Sequence, residues 1–403
     1  MEKKTATMLP PGVLWLQVWG LASVQGAISL SWLIYRLYLP QLLAQFGFVG
    51  LDKGIIILED AIAVVVEPLM GGLSDQARKW LGSRFPFIAV GIIVASALFI
   101  AIPTVVIFGN PESVFRWLLP WVLVLWAVAM AAFRSPAIAL LGQYAFATQL
   151  PQAASILILV GSLIGSLRPL AGGFILGLGP AATFGIGSLV LLASAGLLRS
   201  LTPDSSIVSV APEPTRQPWP VREMVVLFVM GMFVGWAFRL SLFDILPKLV
   251  TAAVPIIDGS IIGGSTSILL GVGSVIAGII ATRWGNRPVM LAGVGLTILM
   301  LGILNISSGF LAVGVAIALI ACFSLLWNGA IPLVFTIMPQ KGGLGIGIYF
   351  GGFSAAMSLY SFILPAPVPP STASMLAAIA LMVAGLCVAI TTKFSNPANQ
   401  PVG

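Results

Sequence analysis

Eight ionisable side chains, Arg36, Glu59, Asp60, Glu67, Arg134, Arg168, Arg239 and Asp244, fall inside long apolar runs of this 403-residue chain. A charge at the centre of a bilayer-length run costs roughly 2.5 to 3.5 kcal/mol on the insertion scale, so eight of them facing lipid would cost over about 20 kcal/mol. They must face one another or a wet cavity. Asp60 and Glu67 are seven residues apart and share one helix face, which offers a proton two stations along a path. Arg36 lies a few residues before the end of the first apolar run, and Glu59 and Asp60 lie a comparable distance into the second. At about 1.5 Å per residue they reach similar depth and can pair. In that arrangement Asp60 or Glu59 takes up a proton under the influence of Arg36, while Arg134 and Arg168 contact polar or charged groups of a bound molecule. The bland alternative for each residue is a static ion pair that fixes helix packing. Arg134 is near enough to the end of its run to snorkel, and Arg239 and Asp244, five apart, need not touch. Trp32, Tyr35, Tyr38, Trp236, Trp327, Asn328 and Tyr349 are candidates for a cavity wall, with Asn328 as the amide that hydrogen-bonds a ligand. Aromatic rings in membrane proteins are, as a class, more often interface anchors or packing.

Long apolar helices must hold these groups. Hydrophobic residues make up 59% of the chain and charged residues 8%, against about 25% charged in an average soluble domain. No soluble fold hides that much apolar surface. Histidine is absent, which removes the usual imidazole proton relay, the usual haem or chlorophyll axial ligand and most zinc sites. Any proton chemistry must use carboxylates. Cys322 and Cys387 lie inside apolar runs and suggest neither a disulfide framework nor a metal cluster, so no cofactor is expected. The net charge of +7 is scattered over short loops instead of forming a basic patch, which argues against nucleic acid.

Apolar runs of about 20 residues begin near Gly12, Leu51, Arg84, Trp117, Pro151, Pro180, Arg222, Gly259, Arg287, Phe310, Gly342 and Ser371. Alternate loops then collect Lys3, Lys4, Arg78, Lys79, Arg84, Arg199, Arg216, Arg222, Arg283, Arg287, Lys341 and Lys393 on one side, against Lys53, Arg116 and Lys248 on the other. By the positive-inside rule the first set is cytoplasmic, and so are both termini. The first run has no small-residue cleavage site and reads as an uncleaved span. The segment from Thr202 to Pro220, with five prolines, reads as a linker. The expectation is an all-α polytopic protein of a cell or inner membrane, with 12 transmembrane helices. Residues 1–200 and 222–403 form two six-helix bundles joined by a cytoplasmic linker at 201–221. Gly82-Ser83-Arg84 after the second span is echoed by Gly285-Asn286-Arg287 after the eighth, as two parallel repeats require.

The loop Gly72-Leu73-Ser74-Asp75, followed by Gly82-Ser83-Arg84-Phe85-Pro86-Phe87-Ile88, resembles the signature loop of the major facilitator superfamily. Its form is similar to that of the glycoside-pentoside-hexuronide cation symporters and the related sucrose transporters. Trp32 to Pro40, Glu59-Asp60, Glu67-Pro68-Leu69 and Phe133 to Leu141 extend the likeness over roughly the first 175 residues. Ser83 and Phe85 stand where that branch usually carries more arginine, and Gln143 where an acid is common. The resemblance implies that Gly72, Ser74, Asp75, Gly82, Arg84 and Pro86 form a cytoplasmic gating motif, a latch that holds the two halves together in the outward-open state. Glycines let helix ends approach, Asp75 accepts hydrogen bonds and Arg84 offers a fork of donors. Asp75 also has a candidate partner in the glycine-rich start of the eleventh span, Gly342 to Gly347, whose helix dipole favours an anion.

The resulting expectation is a symporter-like secondary transporter. It moves a small polar solute, sugar-like by the resemblance, through alternating access with H⁺ as the coupling ion, and its partners are that solute, the proton and the bilayer. A second reading is a non-transporting assembly factor for pigment or light-harvesting complexes, since the bacteriochlorophyll-delivery relatives share a similar loop. No nucleophile and base, metal set or phosphate loop is visible, so an enzyme is not expected.

Overall fold

A computed structural model describes residues 12–109, 112, 114–202, 219–364 and 368–391. The linker residues 203–218, with Lys3, Lys4, Arg216 and Lys393, lie outside the described residues. The chain is all-helical among those described. Its long helices are α1 (Trp15–Gln45), α2 (Leu51–Leu81), α3 (Phe85–Phe108), α4 (Leu118–Ile138), α5 (Leu150–Gly177) and α6 (Pro180–Leu201). They continue with α7 (Val221–Phe238), α8 (Gly259–Trp284), α9 (Asn286–Ile306), α10 (Gly309–Ile337), α11 (Gly342–Ile363) and α12 (Pro370–Ile390). Beyond α7 the chain continues as a π-helical stretch, Arg239–Ile245, and an α-helical stretch, Leu246–Ala253.

Eleven helices are long and apolar enough to cross a membrane, which makes the chain an integral, multi-pass membrane protein. The twelfth expected span, α2, is missing from that set because of its charges, not its length. Its 31 residues carry Asp52, Lys53, Glu59, Asp60, Glu67, Asp75, Arg78 and Lys79, and at about 1.5 Å per residue it is roughly 46 Å long. Such a helix must be shielded, and α2 is packed against α4 and α11.

Two seams join the helices before residue 202 to those after 219. In the first, α2 lies along α11, from Asp75 beside Gly343 and Leu344 at one end to Ile57, whose carbonyl accepts from the Ser358 hydroxyl, toward the other. A Cβ at Gly71 would meet the Gly343 carbonyl, and one at Gly347 would meet the Glu67 carbonyl, both well inside van der Waals contact. Backbone therefore touches backbone here, as small residues allow between membrane helices. In the second seam α5 lies along α8, where a Cβ at Gly278 would sit 2.8 Å from the Pro151 carbonyl oxygen. The end that carries Asp75 and Pro151 is called the latch end below.

The helix ends follow from local chemistry. Gly82 closes α2 with φ of 72°, a left-handed conformation that disfavours a side chain, and Pro86 stands in the first turn of α3, where no N–H is missed. The tight turn between them brings Arg84 back toward Asp75. Inside the first six helices, Trp126 is fully buried with its ring stacked on Phe99 at 5.0 Å, and it also packs against Trp32 and Tyr35. This aromatic cluster fixes α1, from which Arg36 projects.

Candidate functional site

Between the two seams lies a cavity of about 840 Å³, within the usual range for small-molecule sites. It is walled by α1, α2, α4 and α5 on one side and by α7, α8, α10 and α11 on the other. Six of the eight charges singled out in the sequence line it: Arg36, Glu59, Asp60, Glu67, Arg134 and Arg168. They form a group of three, a pair and, among the described residues, one cation without an acidic partner.

The first group sits where α1 and α2 face each other. Arg36 Nη2 is 3.3 Å from Glu59 Oε2 and 3.9 Å from Asp60 Oδ1. The closer contact is an ion pair by distance without hydrogen-bond alignment, since Glu59 Oε2 and Arg36 Nη1 each lack a hydrogen-bond partner. Glu59 is the more committed carboxylate. It is buried, and its other oxygen accepts a bond from the Tyr35 hydroxyl. Asp60 keeps only the longer contact and is partly open to the cavity. The Arg36 guanidinium also lies 5.2 Å from the Trp32 ring centre, a cation-π distance.

The second group is two helical turns nearer the latch end. Glu67 is 1% exposed and accepts from Arg134 Nη1 at 3.2 Å and from the Ser135 hydroxyl at 3.3 Å. Arg134 spans the gap between the two sides of the cavity, because its guanidinium rests 4.1 Å from the ring centre of Phe350 on α11. Snorkelling is therefore not its role: its charge turns inward to Glu67. Arg168, on α5, is exposed within the cavity wall and makes no ion pair or hydrogen bond among the described residues. The charges of two other cations, Arg36 and Arg239, reach it.

Arg239 and Asp244 correct the expectation that they need not touch. Arg239 Nη2 is 3.4 Å from Asp244 Oδ1. In an α-helix residues five apart diverge, but Arg239–Ile245 is π-helical, and i to i+5 closure brings the two onto one face. Tyr360 completes the group: its hydroxyl donates to Asp244 and its ring lies under Arg239. This group is not part of the cavity lining, although Phe238 and Phe243 beside it are.

Asn328 is the other correction. It is 0% exposed and does not line the cavity; its amide Nδ2 donates to the Pro151 carbonyl at 3.0 Å and ties α10 to the start of α5. A polar side chain in an apolar helix is equally a helix-to-helix tie, and nothing in the local sequence separates the two. Of the aromatic candidates, Trp32, Trp327 and Tyr349 line the cavity. Tyr35 and Tyr38 are buried behind it, and Trp236 donates to the Ala356 carbonyl. Sequence reasoning missed Ser135, Phe350 and Tyr360. Ser135 adjoins Arg134 and could have been found from that; Phe350 and Tyr360 come from a distant helix and carry no local signal.

At the latch end Asp75, 8% exposed, binds three donors. Arg84 pairs with one oxygen, to which the Gly343 N–H also donates at 3.0 Å, and the Leu344 N–H donates to the other at 2.9 Å. The two N–H groups are unsatisfied donors of the first turn of α11, so the carboxylate caps that helix from a neighbouring one. Arg84 is 3% exposed, and burial pulls its pKa down while the Asp75 charge opposes this. Ser74 bonds the Gly71 carbonyl within α2, a Cβ at Gly72 would meet the Leu344 side chain, and Gly82 and Pro86 shape the turn. The echo in the later helices is built differently. Asn286 donates to the Gly329 carbonyl and Arg287 to that of Thr391.

No protein-family profile matches the sequence, and no curated protein matches it. Solved structures do. The major facilitator superfamily transporter FucP in the outward conformation superposes with a TM-score of 0.71 at 14% identity, over 93% of this chain and 98% of that one. A bacterial homologue of the iron transporter ferroportin in the outward-facing state gives 0.69 at 14% identity, over 94% and 99%. Eleven apolar helices around a central cavity, matched along nearly the whole of both neighbours, give this chain the fold of the major facilitator superfamily transporters.

Proposed function

We propose that the chain is a secondary active transporter that carries a small solute by alternating access, with H⁺ as the driving ion. The observation that carries this reading is the charged cavity between the two seams, with carboxylates at two depths. A static scaffold or assembly factor has no need of such a space. In this reading residues 1–200 and 222–403 are two bundles that rock about the cavity, joined through the segment 201–221, with α2 as the twelfth span and both termini cytoplasmic. The latch end is then the cytoplasmic side and is closed, which agrees with the outward-facing state of both solved neighbours. Asp60, the least engaged carboxylate, takes the proton; Glu59 orients Arg36 beside it, and Glu67 with Arg134 forms a deeper station. A fucose:proton symporter, to which the chain is similar at 14% identity and TM-score 0.65, provides a precedent on this fold for proton coupling.

The test is uptake of a panel of labelled sugars, amino acids and organic acids into proteoliposomes, with and without an imposed pH gradient. Accumulation that follows the gradient is expected for at least one solute class. Exchange of none of them across a tight, correctly folded preparation would overturn the reading.

A further inference from the structure

The charges and walls of the cavity narrow the solute beyond what the fold implies. Resting on the transporter reading, we infer that the cargo is an organic anion with an apolar, ring-sized body, and that Arg168 is the group that takes its charge.

Three facts converge on this. Arg168 is a guanidinium exposed in the cavity with no acidic partner among the described residues, whereas its cationic neighbours Arg36 and Arg239 each hold an acid of their own. An unpaired arginine within a membrane domain demands an anion or water, and a carboxylate matches its fork of donors. The cavity acids are, by contrast, already committed: Glu59 to Arg36 and Tyr35, Glu67 to Arg134 and Ser135. A cationic cargo would meet an unopposed cation and no free acid except Asp60.

The walls suit an apolar body better than a carbohydrate. The uncharged polar side chains in the lining are Gln25, Ser29, Ser162, Ser267, Ser354 and Tyr349. Gln25 donates to Ser29 and Ser267 bonds the Gly263 carbonyl of its own helix, which leaves Gln25 Oε1, Ser162, Ser354 and Tyr349 as the uncharged groups for a ring of hydroxyls. A polyol placed here would leave hydroxyls unsatisfied, at a high cost in a buried site. What the cavity does offer is Trp32, Phe238, Trp327, Phe350 and Phe353, with Phe238 and Trp327 stacked at 4.5 Å. An inorganic anion would leave these faces wet in a space of about 840 Å³. Pro169, next to Arg168, removes the N–H that would bond the Gly165 carbonyl, and Gly165 lines the same wall, so one acceptor stands near the anchor.

The charge count ties this to the proton. Three arginines and three carboxylates leave the cavity neutral when all are ionised, so an entering monoanion is balanced by one proton on Asp60.

The experiment uses the full chain and matched probes: phenylacetate, 3-phenylpropionate and indole-3-acetate, each beside its neutral primary amide, with methyl glucoside as a sugar. Binding is read in detergent by tryptophan quenching, and counterflow in proteoliposomes. The expected result is that the carboxylates bind at least about tenfold more tightly than their amides, the ratio that a charge-assisted hydrogen bond supplies. Arg168→Gln should bring that ratio close to one with the amide affinities unchanged, which shows that the variant is folded, and Arg168→Lys should restore part of it. Equal affinities, preference for the glucoside, no carboxylate binding, or a ratio that survives Arg168→Gln would each overturn the inference. Selective binding without counterflow would uphold the anion site and sink the transporter reading. Counterflow of a neutral solute alone would do the reverse.

Discussion

Asp75→Asn isolates the charge of the latch from its shape. The amide keeps one acceptor oxygen in the same place, so one of the α11 N–H bonds, at 2.9 and 3.0 Å in the wild type, persists. What is lost is the charge-assisted bond from Arg84, on the order of 1.5–3 kcal/mol, and the attraction of an anion to a helix N-terminus, about 0.3–2 kcal/mol when partly buried. Arg84, 3% exposed, is left without its counter-ion and gains by moving to water, which the closed latch forbids. Together these weaken the closed latch by roughly 2–5 kcal/mol, a shift of about 30- to 4,000-fold in the ratio of closed to open. Conformers of a working transporter differ by only a few kcal/mol, so the latch-open form should become a major species. Spin labels at Lys79 and Gln340, both exposed at the latch end, report this by pulsed electron resonance in nanodiscs once Cys322 and Cys387 are replaced by serine. The wild type should give one short distance, and Asp75→Asn a second, longer one. Superimposable distributions, from a variant that melts within a few degrees of the wild type, would refute the idea that this carboxylate holds the end shut.

Three further outcomes follow from the same structure. Gly347→Ala places a Cβ against the Glu67 carbonyl, so α2 and α11 must part; overpacking of this kind costs about 1–3 kcal/mol and should lower the melting temperature in detergent, whereas Gly173→Ala, which meets open space, should not. Arg134→Ala strands the buried Glu67 and should cost about 3–5 kcal/mol of stability, while Arg239→Ala, whose guanidinium is 41% exposed, should cost under about 1 kcal/mol; equal losses would contradict the burial difference on which the contrast rests. Asp60→Asn should abolish accumulation driven by a pH gradient yet spare solute exchange, and unchanged accumulation would remove Asp60 as the proton carrier.

The helices were legible from the sequence because apolar length and helix-ending chemistry are local properties. Runs read from Leu51, Pro180, Gly259 and Gly342 begin at those residues in the structure. The insertion cost of buried charge also pointed correctly to partners: Arg36 meets Glu59 and Asp60 because all three were placed at one depth. The failures have a common physical source. Arg239 and Asp244 were judged by α-helical geometry, and a π-helical stretch has no reliable signature in residue types. Asn328 was read as a ligand-binding amide because sequence gives polarity without direction, and its direction is set by the approach of α5. Arg168 was visible as a charge, but its lack of an acidic partner is a property of the assembled cavity.

The two seams are alike in backbone closeness and unlike in chemistry, and this difference bears on how the fold would open. Asp75 stands nine residues before Arg84, and the residue nine before Arg287 in the echoed motif is Gly278. Asp75 grips the first turn of α11, while Gly278 presses bare backbone on the Pro151 carbonyl at the first turn of α5. A contact made of charge is directional and breaks over a short displacement, because hydrogen bonds weaken steeply with misalignment. A contact made of van der Waals packing tolerates sliding, and its loss is graded with the area uncovered. On the proposed rocking mechanism, the seam of α2 with α11 would be the one fitted to release abruptly, and the seam of α5 with α8 the surface about which the halves roll. Glu67 and Arg134 sit directly along the releasing seam, with Phe350 of α11 against the guanidinium. In the proposed proton path, a change of charge at Glu67 would thus be felt by α11, whose first turn Asp75 caps.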